Sequence, residues 1–275
     1  MLGEAYVHLV LATAPLQVCL AWRCEPSRGP GRRLEAPAAL LFGLSVLVSS
    51  VAVWGAVPWL LLCLWRSVVI SRHYLGWRPE LSHLADWAAH LYLPAGGIWA
   101  LFSQLGYQPL GFSGIIGLLT GVHFHYAGFA LPWLTSRLLA RRSVSWSGRV
   151  GAVGVLLGVP LVAVGITSSQ LGLPPAIETA SVTVLALSAL TVSHGYLAWA
   201  GTCRGLTRLC FLVGGVALAL GMLLALLYGW RVWFPIEWVT IPAMYSLHGS
   251  LNSWGFCLPG ILGNRLLGGE EQGEG

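Results

Sequence analysis

Leu118-Leu119-Thr120-Gly121-Val122-His123-Phe124-His125-Tyr126-Ala127-Gly128-Phe129 lies inside an apolar run from about Gly111 to Leu134. A run of this length and polarity reads as a helix in lipid, which needs about 20 apolar residues to cross. Two histidines and a tyrosine near its middle are then expensive. Ionisable groups at such depth face the protein interior and mark a pathway or a site.

The rest of the chain agrees with a membrane setting. Its 275 residues are 56% hydrophobic and 9% charged, with a mean hydropathy of +0.73, too apolar for a soluble domain of this size. No soluble domain, internal repeat or long linker is expected. All 15 basic residues are arginines, which reads as codon bias in a GC-rich genome. They sit in short loops between apolar runs, so the net charge of +5 speaks for membrane orientation and against nucleic acid. Met1-Leu2-Gly3-Glu4 offers no basic n-region, and the first run is read as a retained helix.

Nine spans follow: Ala5–Trp22, Pro37–Trp54, Pro58–Ile70, Leu84–Leu105, Ser113–Thr135, Val150–Thr167, Glu178–Trp199, Leu209–Trp230 and Thr240–Leu262. The second and third divide a run too long for one span, at Gly55-Ala56-Val57-Pro58. With nine spans every arginine except Arg231 falls on one side, the cytoplasmic side under the positive-inside rule. The N-terminus is then outside and the C-terminus cytoplasmic. Eight spans, with that run unbroken, is the alternative, and it scatters the arginines over both faces. The expected fold is an all-α polytopic transmembrane helix bundle, one domain over residues 1–267, followed by a disordered acidic tail over 268–275. Cys24 and Cys203 fall in cytoplasmic loops and Cys19, Cys63, Cys210 and Cys257 in inner helix halves, so no extracytoplasmic disulfide is expected.

Polar residues within the spans are the candidate site. His123 and His125 are two residues apart, about 200° around an α-helix, and face opposite ways. His125 shares a stripe with Gly114, Gly117, Gly121 and Gly128, which suits close helix packing; His123 shares a face with Thr120 and Tyr126, which suits a cavity. Tyr245, His248, Asn252 and Gly255 share one face of the ninth span, where His248 and Asn252 can hold a polar group or tie helices together. His83, Asp86 and His90 share a face of the fourth span; Asp86, the sole aspartate, can orient His90, while His83 reads as interfacial. Glu178 opens the seventh span, either as a residue favoured by the helix dipole or as a buried acid with a raised pKa. Most of the 14 tryptophans lie at span ends and read as interfacial belts. Closely spaced histidine boxes of the membrane-desaturase type are missing, and His-x-His on one helix points its rings apart. Neither a metal nor a cofactor is expected.

His123-Phe124-His125-Tyr126-Ala127-Gly128-Phe129, Leu93-Pro94-Ala95-Gly96-Gly97-Ile98-Trp99, and His248-Gly249 with Asn252 and Gly255-Phe256 resemble the YndJ-like family of bacterial membrane proteins. The likeness runs from about residue 80 to 265. It implies a multi-pass protein of the bacterial inner membrane and little about chemistry, although members are often labelled transporters.

Three functions fit. The first is an acid/base enzyme, an isomerase, cyclase or hydratase, acting on a lipophilic biosynthetic substrate. His123, Tyr126, Glu178, His248 and Asn252 would form its site, with His125, Asp86 and His90 as secondary candidates. Its partners would be the lipid bilayer and that small molecule. The second is a small-molecule or proton-coupled transporter, since buried His and Glu serve proton relays. The third is a non-catalytic scaffold whose polar groups pair one-to-one.

Overall fold

The structure is a computed structural model that describes residues 2–25, 32–48, 52–74, 80–141 and 144–273. All regular structure among the described residues is helical: α1 (Leu2–Arg23), α2 (Arg32–Leu47), α3 (Ala52–Tyr74), α4 (Leu81–Gln104), α5 (Gly114–His123), α6 (Leu131–Arg141), α7 (Trp146–Gln170), α8 (Ala176–Ala200), α9 (Gly205–Gly229), α10 (Ile241–Ala243) and α11 (Leu258–Gly273). A 3-10 turn lies at Pro109–Gly111. Wide π-helical turns over Phe124–Ala130 join α5 to α6, and two more, Met244–His248 and Leu251–Cys257, lie between α10 and α11. Each of the nine expected spans overlaps one of these helical segments.

Among the described residues, six helices are long and apolar enough to cross a membrane: Gly3–Arg23, Trp54–Tyr74, Gly114–Arg141, Trp146–Gln170, Ala176–Ala200 and Gly205–Gly229. The expected spans outside this set are informative. α2 has only 16 residues, α4 carries Asp86 and His90, and the ninth span carries His248, Asn252 and three serines. Polar cargo lowers the apolarity of a helix, and those helices bring much of it.

One boundary moves. The break between the second and third spans lies between Leu47 and Ala52, not at Gly55–Pro58, which belong to α3. Gly55 is a packing glycine: a Cβ there would stand 2.5 Å from Ser45 Cβ and collide with the Leu41 carbonyl oxygen. Loss of a side chain lets α3 approach α2 closely, as small residues do between helices in lipid.

The chain forms two compact units, Met1–Trp133 and Leu134–Gly275. The first is built on an aromatic core. Trp22 stacks on Trp59 at 5.7 Å between centroids, Phe42 tilts against Trp59 at 6.1 Å, and Phe129 meets Trp22 edge-on at 6.2 Å. The second is built on an antiparallel α7–α8 pair. Gly158 lies under Leu185 and Gly165 under Glu178, where an added Cβ would come within 2.9 Å of either Cα; Gly151 and Gly154 leave similar room for Thr191 and Ser188. Tyr196, Phe211 and Phe256 close that core.

A short internal repeat, not expected from the sequence, links the units by pattern. Gly128-Phe129-Ala130-Leu131-Pro132 recurs as Gly255-Phe256-Cys257-Leu258-Pro259. In both, a π segment ends at the third position and the α-helix resumes at the leucine. The Leu131 N–H bonds Tyr126 O, and the Leu258 N–H bonds Ser253 O, five residues back in each case. A proline follows directly and brings no N–H, so the ladder already lacks one four-residue bond where the turn widens.

Candidate functional site

Among the described residues the densest buried charge lies in the first unit, where Glu25, Glu35 and Arg66 join Asp86 and His90. Glu25 follows the last turn of α1, held by its N–H to Trp22 O at 3.2 Å. Its carboxylate is buried. Oε2 accepts from Arg66 Nη2 at 2.9 Å, and Oε1 accepts from Trp133 Nε1 at 2.8 Å. Arg66, from the middle of α3, is buried too; its guanidinium lies 4.5 Å over the Trp22 ring and 4.0 Å from Glu35 Oε1. Glu35, in the first turn of α2, stands 3.8 Å from Arg23 Nε at the rim. Burial pushes the Glu35 carboxyl above its ordinary range, while Arg66 and Arg23 pull it down. Asp86 on α4 is buried and accepts from Tyr74 OH at 2.9 Å.

His90 completes the group. One turn beyond Asp86, its Nδ1 lies 2.8 Å from the Asp86 carbonyl oxygen, which only an Nδ1–H can use. Nε2 is fully buried without a hydrogen bond, and points to Glu25 Oε1 at 3.6 Å, too long for one. The Ser67 hydroxyl reaches the His90 carbonyl and fixes the backbone. One ligand atom each from Glu25, Asp86 and His90 lie within 4.8 Å of one another. Three carboxyl groups, one guanidinium and an imidazole are thus buried close together, with Arg23 paired to Glu35 at the rim, in an environment where each buried ion costs several kcal/mol unless it is paired.

His125 offers the contrast. Its Nδ1 makes the same four-residue bond, to Gly121 O at 2.8 Å, but Trp59 Nε1–H donates to its Nε2 at 3.0 Å. An indole N–H only donates, so Nε2 accepts and the ring is the neutral Nδ1–H tautomer with both nitrogens used. Gly96 makes the seat: a Cβ there would stand 2.7 Å from His125 Nδ1.

The other expected residues fall as follows. Tyr126 is buried; its hydroxyl lies 3.3 Å from Val10 O and accepts from Gln17 Nε2 at 3.3 Å, both on α1. His123 is half-buried, edge-on to Phe124. In the second unit His248 and Asn252 come together. His248 Nδ1 lies 2.8 Å from Gly221 O on α9, Asn252 Nδ2 donates to His248 O at 2.7 Å, and a Cβ at Gly221 would meet Asn252 Nδ2 at 2.9 Å. Glu178 lies elsewhere on that unit. It accepts from Arg231 Nη1 at 2.8 Å and Nη2 at 3.3 Å, and from Ser169 Oγ at 2.5 Å. Its neighbour Thr179 reaches Gly229 O, eight residues along α9 from Gly221, or about 12 Å at 1.5 Å per residue. Glu178 is therefore not joined to the His248–Asn252 pair.

Sequence reasoning picked out Asp86 and His90 but missed Glu25, Glu35 and Arg66. A signal existed. Glu25 and Glu35 are acids in an arginine-rich stretch, and Arg66 interrupts an apolar run that needs no charge there.

Comparison with known proteins adds the family. The model of the YndJ-like protein family matches residues 10–256, a range that contains every residue of the acidic cluster and of the His248–Asn252 pair. The uncharacterized membrane protein YndJ of Bacillus subtilis (strain 168) is 26% identical over 241 residues, covering 84% of this chain and 41% of that protein. The chain thus spans about two fifths of the relative's length. No solved structure matches. The helices fit for a bilayer, the buried charge within them and the extent of the family match together place this chain in the YndJ-like family, as a multi-pass bacterial membrane protein.

Proposed function

We propose that this chain is a nine-span membrane protein, N-terminus outside and C-terminus cytoplasmic, that couples movement of a small solute to a cation held at the Glu25–Glu35–Arg66–Asp86–His90 cluster. Residues 1–267 form the transmembrane domain in this reading, and 268–275 an acidic tail. The observation that carries it is the buried ionisable cluster: three carboxyl groups, one guanidinium and an imidazole nitrogen without a hydrogen bond. Such groups within a membrane bundle serve ion and proton pathways, and they are costly unless they do something. The arginine distribution supports the orientation, with Arg231 alone on the outer side. The repeated Gly-Phe-x-Leu-Pro turn supports transport over the other readings, because transporters are often built from repeated halves whose helices are broken near the site.

A second reading, acid/base catalysis on a lipophilic substrate, draws on the convergence of His248 and Asn252 on Gly221 at a break in the last helical segment. In it His248 is the proton acceptor and Asn252 orients the substrate, with His123, Tyr126 and Glu178 as further candidates.

Proton flux separates the readings. Full-length protein is reconstituted into vesicles with an entrapped pH-sensitive dye, and a pH step is applied. Transport predicts dye response above protein-free vesicles, reduced at least tenfold in Glu25→Gln and kept in His248→Asn. A response absent in the wild type, or equal in wild type and Glu25→Gln, rules out the cluster as a proton-coupled path.

A further inference from the structure

We infer that Glu25, Asp86 and His90 form a binding site for a divalent first-row transition-metal ion. This gives the cluster a bound metal ion beside the proton whose flux is measured above, and rests on reading that cluster as a cation site.

Three observations carry it. The first is the tautomer. His90 gives its Nδ1–H to the Asp86 carbonyl, so in the neutral ring the lone pair sits on Nε2, buried and aimed into the acids. Metal-bound histidines are oriented in this way, the second nitrogen donating to a carbonyl. His125 makes the same backbone bond, but an indole caps its Nε2, so the arrangement at His90 is not a general habit of histidines in this fold.

The second is distance. A separation of 3.6 Å between His90 Nε2 and Glu25 Oε1 is too long for a hydrogen bond. It suits two ligand atoms each about 2.1 Å from a common ion, with an angle between them of about 118°. An Asp86 oxygen falls within 4.8 Å of both, so a rotation of the Asp86 side chain brings in a third ligand.

The third is charge. Glu25 and Asp86 bring two buried carboxylates to one place, and a divalent ion between them would offset the cost of burying them together. Trp133 Nε1–H and Tyr74 O–H already bond the two ligating carboxylates, the supports a metal site needs around its ligands. One imidazole and two carboxylates suit Zn²⁺, Mn²⁺ or Fe²⁺ better than the all-oxygen preference of Ca²⁺ or Mg²⁺.

Binding is measured directly. Purified full-length protein, stripped with chelator, is dialysed against Zn²⁺ or Mn²⁺ and its metal content read by mass spectrometry, with thermal melting followed in parallel. The wild type is expected to take up about one ion per chain and to melt higher with it, since a ligand of the folded state alone stabilises that state. His90→Gln and Asp86→Asn should weaken binding at least tenfold, and His248→Asn should leave it unchanged. A wild type that binds no stoichiometric ion, or equal binding in His90→Gln, overturns the site. If the variants do not fold, the wild-type stoichiometry and melting shift decide alone. Binding without proton flux leaves the site and removes the transport reading; flux without binding does the reverse.

Discussion

Glu25–Arg66 in the first unit and Glu178–Arg231 in the second are nearly the same bond, 2.9 Å and 2.8 Å between nitrogen and oxygen. Their surroundings differ. The Arg66 and Glu25 side chains are 4% and 1% exposed, against 31% and 9% for Arg231 and Glu178. Around Arg66 stand two further acids and an imidazole; around Arg231 stand a serine hydroxyl and the Tyr228 ring, 4.0 Å away. A rim pair can trade its partner for water, whereas a buried one cannot. The same contact is thus a modest tie in one unit and an obligatory one in the other.

Substitutions can break that contrast. Arg66→Met strands Glu25 and Glu35 together, and loss of one partner of a buried pair costs about 3–5 kcal/mol. Melting in detergent should show a large drop, partly recovered by adding Glu25→Gln; no drop would mean the cluster is wet. Next in size is Gly96→Ala, whose methyl would press on the ring of His125. Overpacking of that kind costs about 1–3 kcal/mol. Gly221→Ala meets only the end of the Asn252 side chain and should cost less, so equal melting losses would contradict the close seat assigned to His125. Smallest is Arg231→Gln, worth about 0–1 kcal/mol and fading as salt is added. A loss rivalling that of Arg66→Met would erase the distinction between the two pairs.

Much of the helical layout was legible because apolar runs of span length announce themselves. The division of the second run was legible as a necessity, from the arginines it would otherwise misplace, but not in position. Gly55 and Pro58 read as a turn, yet close packing on Ser45 also requires a glycine, and helices in lipid tolerate an interior proline such as Pro58. The different burial of His123 and His125 suits their two-residue spacing on a helix. The acidic cluster did not, because Glu25, Arg66 and His90 come from separate helical segments and no local spacing ties them. His90 was singled out with Asp86 as a carboxylate–imidazole pair; instead it bonds the Asp86 backbone and turns its other nitrogen to Glu25. Periodicity gives the face a residue occupies, not the atom its neighbour presents.

The two Gly-Phe-x-Leu-Pro turns are 127 positions apart, and the residues beside them can be matched one by one. His125 corresponds to Asn252, so a ring that accepts an indole N–H is answered by an amide that donates to a backbone carbonyl. Trp133, whose indole bonds Glu25, corresponds to Gly260, which has no side chain to offer a carboxylate. The two units share a backbone turn but not its side-chain equipment, so an ion held as proposed at Glu25 would find no counterpart of Trp133 in the second unit.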